Sequence, residues 1–220
     1  MNREKAKEVN MKGKSYACRN KKENALRPGD YYATPKSLIW CAKDLFHKAI
    51  STDRLITEPC CGNGSISEAL NDIGYGVIEN DLYSSRKGIM HNDLLKSNLD
   101  EWCSPNVITN FPFSKWDDCV MAVLAKENLE ALITIGRLNY LSTQSRLESP
   151  MWKHLKEMWC FSRYVDYQTE ERDDGKFFVG CMATAWFYFT KEEVDAPIIK
   201  FVDVQEYAAL GNKKKEEKGK

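Results

Sequence analysis

Leu55-Ile56-Thr57-Glu58-Pro59-Cys60-Cys61-Gly62-Asn63-Gly64-Ser65 is the stretch on which the fold turns. Leu55-Ile56-Thr57 reads as a short strand, and a helix opens near Ser65. Between them Gly62 and Gly64 let the backbone take positive φ and approach a ligand closely. Strand, glycine loop, helix is the opening unit of a parallel α/β sheet, and its loop lies at the edge where such sheets hold ligands. A lone G-x-G is equally a tight turn, so the flanking sequence has to decide.

Downstream, Gly76-Val77-Ile78 forms a second short strand followed by acidic residues that end at Asp81, 17 positions beyond Gly64. That is close to the ~20-residue offset at which a carboxylate reaches ribose hydroxyls in nucleotide-binding α/β folds. The loop lacks both the third glycine of the dinucleotide fingerprint and the Gly-Lys-Ser/Thr of phosphate loops, which favours an adenosine ligand without a pyrophosphate; S-adenosylmethionine is one. A further acidic stop follows at Asp93, and Asn106-Val107-Ile108-Thr109 runs as a strand into Asn110-Phe111-Pro112-Phe113. The spacing predicts a helix over 116–128 with Val120, Val123 and Leu124 inward, then a buried strand Ala131-Leu132-Ile133-Thr134-Ile135. Strands alternating with helices imply a parallel sheet with both faces covered.

Upstream, Asp30-Tyr31-Tyr32-Ala33-Thr34-Pro35 opens the organised chain, with Thr34 placed to cap a helix and Pro35 suited to its first turn. Leu38, Ile39, Ala42, Leu45, Phe46 and Ala49 recur at helical spacing through about residue 50. From Pro150 one more helix is expected, then strands over 162–167 and 179–189 joined by a polar loop over 169–176. No internal repeat is present.

The 220 residues, 43% hydrophobic and 11% aromatic, suffice for one well-buried core. No apolar stretch approaches the ~20 residues of a membrane span, and no apolar h-region follows the lysine-rich start, so a soluble, unsecreted chain with no membrane partner is expected. Of the eight cysteines only Cys60 and Cys61 are close, without C-x-x-C spacing, and His47, His91 and His154 lie far apart. Reduced thiols and no metal site follow. The zero net charge conceals basic ends: residues 1–27 carry nine Lys or Arg against three Glu, and residues 213–220 five Lys against two Glu. Such ends are solvated tails or contacts to nucleic-acid phosphates.

Asn110-Phe111-Pro112-Phe113 ends its strand on the same sheet edge as the glycine loop and carries the chemistry. An exocyclic amino group is a poor nucleophile because its lone pair is conjugated into the ring. Two acceptors that take both N–H bonds draw it toward a reactive, pyramidal geometry. The Asn110 side-chain oxygen and the Phe111 carbonyl are candidates; Pro112 stiffens the turn and the Phe113 ring is placed to stack on an extruded base. The competing reading keeps both phenylalanines in the core, with Pro112 merely ending a strand.

In order and residue type these segments resemble the DNA amino-methyltransferases of the adenine-N6 kind, particularly the small bacteriophage versions, over most of residues 30–190. Residues 30–35, with Tyr32, Thr34 and Pro35, look like the family's N-terminal cofactor segment. Glu58, Pro59, Cys60, Gly62 and Gly64 are similar to its Asp-Pro-x-x-Gly-x-Gly loop. Asn80-Asp81, followed by Leu82, resembles the ribose-binding acid, and Asp93 the acid beside the cofactor's adenine. Asn110 to Phe113 is similar to the catalytic Asp/Asn-Pro-Pro-Tyr/Phe, with Phe111 departing from the first proline. The carbonyl acceptor survives that change, while the turn loses a constraint. Stretches around Gly136-Arg137-Leu138 with Arg146, and Ala185-Trp186-Phe187-Tyr188, are similar to later strands of the phage enzymes.

The resemblance implies a Rossmann-like class I methyltransferase, α/β, with a mostly parallel seven-stranded sheet, helices on both faces and a C-terminal antiparallel strand. Its implied cofactor is S-adenosylmethionine, its partner DNA, its reaction direct methyl transfer to adenine N6, and its place a bacterial host's cytoplasm if phage-encoded. The expected layout is a basic tail over 1–27, the methyltransferase domain over 28–200 and a charged C-terminal segment over 201–220. A compact recognition region is expected within 139–178, with Arg137 just before it and Arg146 inside it as candidate substrate contacts. No Pro-Cys nucleophile of the cytosine-C5 kind is present, since Cys103 and Cys119 stand outside the motif. Cytosine N4, RNA and protein amino groups remain open as acceptors, as does a chain of this fold that binds cofactor or nucleic acid without catalysis.

Overall fold

In a computed structural model that describes residues 34–162, 164–165, 167 and 182–204, seven strands form one sheet. They are β1 (Leu55–Glu58), β2 (Gly76–Glu79), β3 (Asn106–Thr109), β4 (Ala131–Arg137), β5 (Leu155–Phe161), β6 (Thr184–Phe189) and β7 (Ile198–Val202), in the order β2-β1-β3-β4-β6-β5-β7. Neighbours pair in parallel except at β6, which runs antiparallel to β4 and β5. The expected mostly parallel sheet with one late antiparallel strand is therefore present. β1 has β2 on one side and β3 on the other, so the strand order reverses between β1 and β3, and ligands of open α/β sheets bind beyond the carboxyl ends at such a point.

The side chains of β6 alternate between two cores: Trp186 and Tyr188 pack into one, Ala185, Phe187 and Phe189 into the other. The first core is covered by α1 (Ser37–Trp40), α2 (Lys43–Ala49) and α3 (Ser65–Asp72) through Leu38, Phe46, Ile66 and Leu70. The second is covered by α4 (Trp116–Leu124) through Trp116, Cys119, Val120, Val123 and Leu124. Helices on both faces make the three-layer arrangement that a parallel sheet requires. The described cysteines Cys41, Cys60, Cys61, Cys103, Cys119 and Cys160 are free thiols.

Several boundaries differ from expectation, each for a tertiary reason. The single helix expected through residue 50 is broken between α1 and α2, because the Leu38 carbonyl accepts the Trp186 indole N–H at 3.0 Å and the Ala42 N–H turns to Ile39 at 3.1 Å. Thr34 does not cap α1; Lys36 stands at the cap position without a side-chain capping bond, its ammonium pairing with Glu68 instead. α4 ends at Leu124 rather than 128, where the Lys191 ammonium donates to the Leu124 and Lys126 carbonyls, both at 3.0 Å. After Pro150 the chain makes only a 3₁₀ turn (Pro150–His154) before β5, seven residues upstream of the expected strand. Glu157, buried in that strand, has its carboxylate satisfied by Trp159 Nε1 at 2.8 Å and by pairing with Lys200. β7, unexpected, carries Lys200 and crosses the proposed boundary at 200/201. The strand expected over 179–189 is described only as Thr184–Phe189. The expected tail over 1–27, the polar loop over 169–176 and residues 205–220 lie outside the described residues.

Candidate functional site

The carboxyl ends of β1, β2, β3 and β4 bring together the glycine loop, the acidic turn after β2, Asn110 and Arg137. Gly62 and Gly64 both adopt left-handed conformations, at φ 51° and 85°, and Gly64 starts α3. Such angles favour glycine and leave the backbone bare toward a ligand. The loop is tied from two sides. Its Gly64 N–H donates to Cys61 O at 2.7 Å, and the Cys61 N–H donates to Asn80 O at 3.0 Å.

Asn80, fully buried, donates from Nδ2 to Pro59 O and Asn92 O and accepts the Asn92 N–H at 2.7 Å, which uses its whole amide. Asp81 accepts the Gly62 N–H at 2.9 Å and the Tyr83 and Ser84 N–H groups at 2.9 and 2.8 Å. Three backbone donors make Asp81 an organiser of the loop, with less acceptor capacity left for a ribose than the sequence reading assigned. Leu82 next to it is exposed. Asp93 caps its own turn through the Leu95 N–H and pairs with Lys96 at 3.0 Å, which holds its carboxyl below the usual range.

Glu58 points elsewhere. Its side chain is 1% exposed and accepts from the Ser67 hydroxyl of α3, and burial pushes its pKa from 4.5 to about 8. Cys60 is partly buried, and desolvation pushes its thiol well up, which disfavours the thiolate.

Two residues of this edge escaped the sequence reading. Glu79 closes β2 two positions before Asp81, and its carboxylate holds the Arg86 guanidinium at 2.5 and 3.3 Å. The guanidinium also lies against the glycine loop: a Cβ at Gly64 would run into it. An acidic residue as the last of a strand was a readable signal for Glu79; Arg86 reaches the loop only through the fold of residues 81–86.

Asn110 continues β3 directly into the site. Its Nδ2 donates to Thr34 Oγ1 at 3.1 Å, while among the described residues its Oδ1 is buried without a hydrogen-bond partner, as is the neighbouring Thr109 hydroxyl. Phe111 is buried in the second core. Pro112 starts a 3₁₀ turn (Phe113–Lys115) by accepting the Lys115 N–H at 2.9 Å. Phe113 is 5% exposed, and its ring face is covered by the Arg137 guanidinium at 4.5 Å. The ring face expected to stack on a base is thus occupied by a guanidinium in this structure.

Arg137 ends β4 on the Phe113 ring with its Nε buried and unpartnered. Arg146 is committed differently: it pairs with both oxygens of Asp117 at 2.8 and 2.7 Å and lies 4.2 Å over the Tyr140 ring. Part of the expected recognition region, Leu155–Phe161, is a core strand, and much of the remainder is outside the described residues. Tyr32 also lies outside them, while Pro35 sits before α1 with its carbonyl accepting the Leu38 N–H at 3.0 Å. Among the described residues no group of three His, Cys, Asp or Glu is arranged to hold a metal, and no helix is long and apolar enough to cross a membrane.

No family model and no curated protein sequence matches the chain. Solved structures do. The M protein of the type I restriction enzyme EcoKI aligns at TM-score 0.54 and 16% identity, over 76% of this chain and 45% of that one. A Listeria monocytogenes protein designated a class I S-adenosylmethionine-dependent methyltransferase aligns at 0.53 and 13%, over 82% and 69%. A Pyrococcus horikoshii protein designated an RNA methyltransferase aligns at 0.54 and 16%, over 74% and 87%. The chain thus spans less than half the length of the EcoKI subunit. Identity this low carries the architecture alone, and on that architecture the chain has the fold of the class I methyltransferases, with the glycine loop and Asn110 at the sheet edge where such folds bind ligands.

Proposed function

We propose that this chain transfers a methyl group from S-adenosylmethionine to an exocyclic amino nitrogen, adenine N6 in DNA, by direct in-line displacement. The observation that carries this reading is the Asn110 Oδ1: a buried acceptor with no donor among the described residues, at the reversal of strand order, one residue past β3. Buried polar atoms are nearly always paired, so an unpaired one at a ligand edge marks a group awaiting its donor. An amino N–H of the substrate supplies it.

The residues fit the cofactor. Gly62 offers bare backbone and Gly64 does so once the Arg86 guanidinium moves aside, Glu79 and Asp81 place carboxylates on the β2 side for ribose hydroxyls, and the loop has no lysine of the phosphate-binding kind. Bound there, S-adenosylmethionine supplies a methyl group on a sulfonium leaving group. The protein's part is to hold the amino nitrogen in line, with Asn110 Oδ1 and the Phe111 carbonyl accepting its two N–H bonds as the lone pair localises. Entry of a base against Phe113 requires Arg137 to leave the ring, and a substrate phosphate is a suitable destination for the guanidinium.

DNA as the acceptor rests on the resemblance of residues 110–113 to the adenine-N6 motif and on likeness in fold to a restriction-modification subunit. The test is Asn110→Ala, assayed for methyl transfer to unmethylated DNA and, by calorimetry, for cofactor binding. Transfer is expected to fall at least about a hundredfold with cofactor affinity kept, the scale seen when one aligned transition-state partner is removed. Near-normal turnover would place the catalytic site elsewhere.

A further inference from the structure

Thr34 has one feature that a cofactor segment or a helix cap does not explain. It is 4% exposed, it does not cap α1, and its hydroxyl oxygen is the partner of Asn110 Nδ2 at 3.1 Å across 76 residues of chain. A side-chain amide has a donor end and an acceptor end of nearly the same shape, and only hydrogen bonds tell them apart. With Nδ2 held by Thr34, the end left unengaged among the described residues is Oδ1. The opposite rotamer would present N–H groups to an incoming amino group, donor against donor.

We propose that Thr34 is a positioning residue for methyl transfer: by accepting the Asn110 Nδ2–H it fixes the amide so that Oδ1 meets the substrate amino group. This rests on the transfer reading given above, and it makes the segment before α1 part of the reaction geometry in addition to any contact with cofactor. The interaction has a specific chemical signature. A carboxylate at position 110 presents an acceptor whichever oxygen meets the substrate, and the Thr34 hydroxyl can turn to donate to the other, so Thr34 should matter less with a carboxylate there than with an amide.

The experiment compares the wild-type chain, Thr34→Val, Thr34→Ser, Asn110→Asp and the Thr34→Val/Asn110→Asp double variant. The readouts are single-turnover transfer at saturating cofactor, cofactor Kd by calorimetry and thermal midpoint. Thr34→Val is expected to slow the single-turnover step at least about fivefold, the lower end for leaving a buried donor unpaired. Its cofactor Kd should stay within about twofold of wild type, and Thr34→Ser, which keeps the hydroxyl, should restore the rate. In the Asn110→Asp background, Thr34→Val should slow the step clearly less than it does with asparagine at 110, a non-additivity that packing or cofactor contact does not produce. Equal losses in both backgrounds, or a weakened Kd with an unchanged saturated rate, would overturn the inference. A wild-type protein that methylates nothing would instead overturn the transfer reading, and this inference with it.

Discussion

Glu58→Gln separates a buried structural carboxyl from a cofactor ligand. Desolvation by burial is the main cause that raises the Glu58 pKa from 4.5 to about 8; the Ser67 hydrogen bonds oppose it and the nearby Glu79 reinforces it. The sign follows from linkage. Below pH 4.5 the carboxyl is protonated in both states and costs nothing. Between pH 4.5 and about 8 the unfolded chain ionises while the folded chain stays protonated, so stability falls as pH rises, and above about 8 the loss is complete. At about 1.4 kcal/mol per pH unit, the full window is worth up to about 5 kcal/mol. Glutamine keeps the shape and an acceptor for Ser67 but cannot ionise. Urea unfolding of both proteins at pH 5, 6, 7 and 8 should show the variant gaining on wild type by up to about 1.4 kcal/mol per unit. Because the side chain faces α3, cofactor Kd at pH 7 should be unchanged within about threefold, less than one hydrogen bond. A stability difference flat across this range would refute the burial, and a large loss of cofactor affinity would return Glu58 to the ligand site.

Asp81→Ala should weaken cofactor binding about tenfold or more in calorimetry, because the Gly62, Tyr83 and Ser84 N–H groups lose a charged acceptor and the glycine loop its tether. Arg86→Ala should tighten cofactor binding and Glu79→Gln weaken it, since the Arg86 guanidinium lies against Gly64 and occupies the Glu79 carboxylate; weaker binding by Arg86→Ala would make Arg86 a ligand. Trp186→Phe should cost about 1–3 kcal/mol in urea unfolding, as it leaves the Leu38 carbonyl at the break between α1 and α2 without its indole donor; a neutral result would mean that solvent or a rebuilt helix turn takes the donor's place.

What the sequence made legible was local. The unit from Leu55 to Ser65 declares itself through a strand and two glycines a few residues apart, and Asn110 through a strand that ends on a polar residue and a proline. What stayed hidden depends on partners far along the chain. The break near Cys41 is set by Trp186, and β5 depends on Lys200 in a strand nobody would place without Glu157 to pair with it. Helical periodicity around residue 38 was real, but it does not report where a carbonyl is diverted to a distant indole. At the site, the residue types were readable and their engagements were not. Asp81 and Asp93 are both acids in loops, yet one organises the glycine loop and the other caps its own turn. Arg137 and Arg146 read alike as basic residues, whereas one lies on Phe113 with an unpartnered Nε and the other is locked to Asp117.

The central claim is met most directly by incubating the purified chain with methyl-labelled S-adenosylmethionine and, separately, unmethylated DNA, RNA and protein, then identifying the labelled nucleoside or amino acid. The account predicts N6-methyladenine in DNA. Label at cytosine N4, in RNA or in protein would keep the Asn110 chemistry and contradict the substrate; cofactor binding without label in any acceptor would contradict the claim of catalysis itself.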